Sequence, residues 1–330
     1  MLGSTLRRSH AAMRPAVFAA AARGLHVSTP HMKQIERITV VGAGLMGAGI
    51  AQVAADAGVK VVITDVSDQA LDNGRSIINK SLTRIARKKS PDDAAAQKDY
   101  IDRVFANIST TTSAQEASAS PDLIVEAIVE NLKTKQDLFQ RFDGIAPAHT
   151  IFASNTSSLS VRKIAELVSD ERKKRFLALH YFNPVPAMRL VEIVSTSETS
   201  PEVVEDVVEL SKRMKKTPVR CGDTPGFIVN RLLVPYLLEA IRMVERGEAT
   251  AEDIDTAMKL GAGVPMGPLE LADFVGLDTL SHIARGWREE RVSTGEIDAK
   301  QVEEVPTLEK LVQAGKLGRK SGKGLFDYSS

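Results

Sequence analysis

A glycine loop set between a buried strand and a helix constrains this chain more than any other stretch. Ile38-Thr39-Val40-Val41 is an apolar run, followed by Gly42-Ala43-Gly44-Leu45-Met46-Gly47 and an Ala-rich helical stretch from Ala48 to Ala57. Gly58 ends it, and Val59 to Asp65 reads as a second strand. In a strand–turn–helix–strand unit each glycine has a mechanical reading. Gly42 permits the tight turn, Gly44 lets backbone approach a pyrophosphate, and Gly47 lets helix and strand pack closely. The helix N-terminus adds free N–H groups and a positive dipole end. Asp65 stands where a carboxylate accepts hydrogen bonds from an adenosine ribose. Its charge would repel a 2′-phosphate, so the expected cofactor is NAD, with Leu45 and Met46 in the loop that holds it.

The chain has 330 residues, enough for two domains with a core each. A formal net charge of +1 leaves no general electrostatic footprint for nucleic acid. The single cysteine, Cys221, excludes an intrachain disulfide and a Cys-based metal site, and reads as a small buried hydrophobe. Residues 1–32 differ from the rest. Arg7, Arg8, Arg14 and Arg23 are spread through Ala, Ser and Leu, and no acid precedes Glu36. That composition is expected of a mitochondrial transit peptide, with a disordered basic tail as the alternative. No stretch is long and apolar enough to be read as a membrane span.

Residues 67–105 turn helical and charged, with Ile77, Ile78, Leu82 and Ile85 beside Arg84, Arg87, Lys88 and Lys89. The break Ser90-Pro91-Asp92-Asp93 predicts a helical hairpin. Its basic cluster reads as a solvated face or as a contact for a nucleotide-bearing substrate. The parallel sheet resumes at Leu123–Ile128, with a helix over 132–142, a strand at Ile151–Ser154 and a helix over 161–168 capped by Ser158 or Ser160. Ligands sit beyond the carboxyl ends of strands in such sheets. Glu130, Ser157 and His180 each follow such an end, although Ser157 reads equally as a plain cap. Between Phe176 and Val194, two apolar runs flank a Pro-bracketed turn and can set His180 beside Glu192. The pair is either a tuned general base or a core histidine near a solvated glutamate.

After Thr224 strands are no longer expected. A helix over 225–246, with Pro225 as its first residue and Asp223 or Thr224 as its cap, is apolar almost all round. It is therefore central to its domain or packed on another subunit. Asn230 is the one uncharged polar side chain in its first turns and needs a partner. Thr250–Asp253 resembles a capping box, and further helices follow. The fold class expected is α/β: a Rossmann-type doubly wound sheet over 33–223 with a helical hairpin insertion, then an all-α domain over 224–330.

Several long segments together resemble the mitochondrial short-chain L-3-hydroxyacyl-CoA dehydrogenases of fatty-acid β-oxidation. They are VGAGLMGAGIAQ (41–52), VEAIVENLKTK (125–135), IFASNTSSLS (151–160), LHYFNPVPAMRLVEIV (179–194), DTPGFIVNRLLVPYLLEAI (223–241) and EDIDTAMKLGAGVPMGP (252–268), the last matching apart from Val264. The resemblance covers essentially everything after the leader. It implies that His180 is the base for the 3-hydroxyl and that Glu192 orients it, while Ser157 and Asn230 bond the reacting substrate. It implies cofactor contacts from Asp65, Glu130, Lys135, Ser157, Asn183 and Lys320 besides the glycine loop. Ser81, Lys88 and Ser157 would meet the coenzyme A substrate. A homodimer through the helical domain and a matrix location are likewise implied.

Small departures are Tyr181, where the family has a second phenylalanine, Leu325-Phe326 in the tail, and a lengthened 169–174. Two other readings compete. One is an NAD-dependent dehydrogenase of small free β-hydroxy acids, which would use a lysine base. The other is a crystallin-like or regulatory protein that binds NAD without turnover.

Overall fold

Apolar runs bounded by glycine and polar turns become the strands of one sheet in the computed structural model, which describes residues 34–329. The expected leader lies outside the described residues. The first βαβ unit is β1 (Arg37–Val41), α1 (Leu45–Asp56) and β2 (Lys60–Thr64). The hairpin follows as α2 (Asp68–Lys89) and α3 (Ala94–Phe105). Next come β3 (Ile108–Thr111), the single-turn α4 (Ala114–Ala117), β4 (Leu123–Glu126), α5 (Leu132–Asp143) and β5 (Ile151–Ser154). Two further single turns, α6 (Val161–Ile164) and α7 (Asp170–Lys173), lead to β6 (Phe176–Tyr181), β7 (Leu190–Ser195), α8 (Pro201–Arg213) and β8 (Thr217–Gly222).

The strand order is β3-β2-β1-β4-β5-β6-β7-β8. Its first six strands are parallel and follow the dinucleotide-binding order, confirming the doubly wound class. Every residue of β4, β5 and β6 is buried, as helices on both faces of the sheet require. One apolar cluster, including Val40, Ile50, Ile78, Leu82, Leu179 and Val207, fills the side of α1, α2 and α8. Another, including Ile124, Phe139, Phe152, Val161 and Phe176, fills the opposite side. The sheet is not parallel throughout. β7 runs antiparallel to β6, because a short loop cannot make the crossover a parallel pair needs. Elements outside the sequence expectations include the short edge strand β3 and the amphipathic α8, whose Val203, Val204, Val207 and Val208 are buried.

The remaining chain is helical: α9 (Val229–Glu245), α10 (Ala251–Gly261), α11 (Pro268–Val275), α12 (Leu277–Glu290) and α13 (Pro306–Gln313). A separate core unites them through Leu237, Ile241, Leu269, Leu280, Trp287 and Leu308. Thr250 caps α10 as expected, its hydroxyl accepting from the Asp253 N–H. Three expectations are corrected. The 161–168 helix is one α turn followed by a 3-10 turn over 165–167, capped by Ser160. Cys221 is half-buried rather than buried. The helix expected from Pro225 begins at Val229, because Gly226 (φ 76°) and Phe227 (φ 54°) take left-handed backbone. Asp223 accordingly caps α6 instead, accepting from Ser160 Oγ, Val161 N and Arg162 N.

Candidate active site

The glycine loop behaves as its spacing predicts. Gly42 has φ 106°, and a Cβ built on it would meet the Ala127 carbonyl at 2.5 Å. One built on Gly47 would stand 1.8 Å from the Gly42 carbonyl oxygen, so α1 and its strand could not approach as they do. Gly44 has open space where a Cβ would be, and among the described residues no side chain caps the N-terminus of α1. Open N–H groups beside an unobstructed glycine fit a pyrophosphate. Leu45 and Met46 form the first turn of α1, and Leu45 is exposed. Asp65 lies beyond β2 and folds onto the loop. Its Oδ2 accepts the Ala43 N–H and its Oδ1 the Val66 N–H, each at 2.6 Å.

Beyond β4 a buried charge cluster forms that the sequence reading did not assemble. Glu126, fully buried at the strand end, receives Lys135 Nζ at 2.5 Å, Ser154 Oγ at 2.6 Å and Ile128 N at 2.7 Å. Lys135 also lies 3.3 Å from Glu130. Glu130 in turn gathers the loop after β5, accepting from Thr156 Oγ1 at 2.6 Å, Ser157 N at 2.9 Å and Ser158 N at 3.2 Å. Burial alone would raise the Glu130 pKa, but the Lys135 charge and these donors outweigh it and hold it low. Ser157 is thus not an N-cap; that role falls to Ser160. An acid inside an apolar strand was the available signal for Glu126.

The antiparallel register sets His180 directly opposite Glu192. His180 Nδ1 lies 2.6 Å from Glu192 Oε2, and both residues are buried. A carboxylate only accepts, so Nδ1 carries the hydrogen and Nε2 is left to accept a proton. The other oxygen of Glu192, Oε1, receives the N–H groups of Ile228 at 3.1 Å and Val229 at 2.9 Å. Burial pulls the Glu192 pKa upward, and the bonds from His180, Val229 and Ile228 bring it below the ordinary range. One carboxylate therefore holds the histidine and the start of α9 together. Asn230, next along α9, donates from Nδ2 to the Ser157 carbonyl at 3.3 Å.

The turn into α9 is pinned from both sides. Phe227 stacks near His180, with centroids 5.5 Å apart, and Phe182 lies 4.5 Å from the same ring. A Cβ on Gly226 would stand 2.5 Å from the Trp287 ring of α12. The structure thus brings Glu130, Lys135, Ser157, Asn230, Glu192 and His180 into one bonded chain. Asn183 lies exposed just beyond β6. Ser81 and Lys88 stand outside this group, on the hairpin, where the Ser81 hydroxyl is buried without a hydrogen-bond partner among the described residues. Lys320 is also outside it, paired with Asp278 at 2.6 Å.

A model of the 3-hydroxyacyl-CoA dehydrogenase NAD-binding domain matches residues 37–224, and one of the family's C-terminal domain matches residues 226–328. The chain belongs to the 3-hydroxyacyl-CoA dehydrogenase family. It is 51% identical over 296 residues to human mitochondrial hydroxyacyl-coenzyme A dehydrogenase, covering 89% of this chain and 91% of that one. It is 44% identical to a probable 3-hydroxybutyryl-CoA dehydrogenase of Bacillus subtilis, covering 89% of this chain and 98% of the relative. Among solved structures, M. tuberculosis FadB2 superposes with a TM-score of 0.81 at 40% identity, covering 90% of this chain and all of that one. The (S)-3-hydroxybutyryl-CoA dehydrogenase PaaH1 of Ralstonia eutropha gives 0.81 at 38%, with the same coverage. Membership makes this an NAD-dependent dehydrogenase family protein whose NAD-binding domain spans residues 37–224.

Proposed function

We propose that this chain oxidises L-3-hydroxyacyl-CoA to 3-ketoacyl-CoA in fatty-acid β-oxidation, with His180 as general base and Glu192 as its support. The observation that carries this is the Glu192 carboxylate, shared between His180 and the helix bearing Asn230. NAD, when bound, supplies the acceptor for the hydride leaving C3. His180 Nε2 takes the hydroxyl proton as the C–O double bond forms, and Glu192 offsets the charge of the resulting imidazolium. In reduction the charged histidine returns the proton to the carbonyl oxygen. Asn230 Nδ2 and Ser157 Oγ donate to that oxygen as negative charge develops on it.

The cofactor contacts in this reading are Gly42, Gly44, Leu45, Met46, Gly47, Asp65, Glu130, Lys135, Ser157, Asn183 and Lys320. Ser81 and Lys88 receive the coenzyme A moiety, which the Ser81 hydroxyl, without a partner among the described residues, supports. The proposed division is a leader over 1–32, an NAD-binding domain over 33–223 and a helical domain over 224–330. The relatives' mitochondrial names and the basic leader support a matrix location. Exposed Leu232, Leu260 and Phe274 support a homodimer through the helical part. The test is NADH consumption with acetoacetyl-CoA against acetoacetate. Oxidation with the thioester alone is expected. Preference for the free acid overturns the coenzyme A assignment, and no oxidation with either leaves a binding protein.

A further inference from the structure

Lys216 lies between α8 and β8, and the site described above makes no use of it. It is only 7% exposed. Its Nζ donates to the carbonyl oxygens of Val185 and, at 2.7 Å, Met188. Both carbonyls belong to the loop over 182–189 that joins β6 to β7, and hence His180 to Glu192. Within that loop the N–H groups of Ala187 and Met188 both converge on the Pro184 carbonyl. Val185 seats against α1, where a Cβ on Gly49 would come within 2.8 Å of it. The next residue, Thr217, donates its N–H to the Arg189 carbonyl at 2.7 Å.

The surroundings of Lys216 are cationic. A cavity of about 280 Å³ beside it is faced by Asp56 of α1, Lys89 of α2, Tyr100 of α3, Arg189 of the loop, Arg213 at the end of α8 and Lys215 of its own connection. Asp56 pairs with Arg103 at 3.0 Å. Among the described residues Lys216 forms no ion pair, so its charge is spent on two backbone carbonyls. A charged donor makes such bonds roughly twice as strong as a neutral one.

We propose that Lys216 is a positioning residue for the dehydrogenase reaction, whose ammonium fastens the 182–189 loop and so fixes His180, Glu192 and Asn183 at the cofactor site. The inference rests on the function proposed above. Burial without a compensating acid holds the Lys216 pKa down to about 8. Because that lies below the ordinary value of 10.5, the unfolded chain binds this proton more tightly. The fold therefore gains stability from Lys216 as pH rises past about 8, while the loop loses its charged fastener. Activity and this contribution to stability move in opposite directions, which partial unfolding cannot imitate.

The experiment compares wild type, Lys216→Arg and Lys216→Met in kcat/KM for 3-hydroxybutyryl-CoA oxidation and in NADH Kd, from about pH 6 to about pH 10, with melting curves alongside. Wild type is expected to lose kcat/KM and NADH affinity above about pH 8 without a fall in Tm attributable to Lys216. Lys216→Arg, always charged, should keep its plateau to about pH 10. Lys216→Met should sit about ten-fold or more below wild type at neutral pH and lack the alkaline limb. Wild-type kcat/KM in the methionine variant, or the same limb in all three proteins, overturns the proposal. If the methionine variant does not fold, the arginine profile decides alone. If wild type turns over no acyl-CoA, the dehydrogenase reading fails and the NADH Kd series still decides for Lys216.

Discussion

Helices α1 and α9 both begin beside the proposed reaction site, and their N-termini are finished in opposite ways. Among the described residues no side chain caps α1, and Gly44 leaves the approach to its N–H groups open. At α9 a buried carboxylate from β7 takes the N–H groups of Ile228 and Val229. An open helix end is a place for a ligand's phosphate. A closed one is a fixed point, and here it fixes Asn230 relative to His180. The first region offers free donors because it is unsatisfied; the second is a fixed point because it is satisfied.

That contrast can be broken from either side. His180→Gln is expected to reduce turnover by about 10²–10⁴-fold with NADH Kd nearly unchanged, read by steady-state kinetics and fluorescence titration. Substantial remaining turnover would remove the histidine from the role of base. Gly47→Ala should do the reverse kind of damage. Its Cβ would stand 1.8 Å from a backbone oxygen that cannot move freely, so NADH affinity should fall by about 10²-fold or the protein should fail to fold. Tight NADH binding by that variant would show that the close packing is not needed.

Glu192→Gln sharpens the comparison through stability. The folded carboxylate has a pKa below the ordinary 4.5, so its contribution is complete above that pH and is lost as pH falls through the lowered value. At neutral pH the variant should be less stable by about 1.5–3 kcal/mol, and the gap in Tm should close in acid. A gap that is constant with pH would mean that Glu192's charge does not hold the start of α9. The smallest effect is expected at Lys215, whose φ of 59° is a glycine conformation. Lys215→Gly should raise stability by about 1 kcal/mol in chemical denaturation, and a loss there would show that its side chain holds the turn.

The first βαβ unit was legible because its information is local. Gly42, Gly44 and Gly47 act on atoms a few residues away, and strand and helix periodicities flank them. The antiparallel pairing of β6 and β7 was legible for the same reason, since a short Pro-bracketed turn limits where His180 and Glu192 can fall. What escaped reading was the long-range use of carboxylates. Asp223 caps α6 from 62 residues away, Asp255 receives the N–H groups of Leu269 and Glu270, and Asp273 those of Leu325 and Phe326. Such an acid has no signature of its own in sequence, because most of its partners are backbone groups with no residue identity. The misplaced start of α9 has the same origin. Pro225 favours a helix locally, and contacts of Gly226 with Trp287 and of Phe227 with His180 override it.

The claim that His180 with Glu192 is the acid–base couple is tested most directly by measuring kcat against pH in both directions on the same preparation. A base must be neutral to take the hydroxyl proton, and the same group must be charged to return it. Oxidation of 3-hydroxybutyryl-CoA should therefore rise with pH while reduction of acetoacetyl-CoA falls. Parallel trends in the two directions would contradict the assignment.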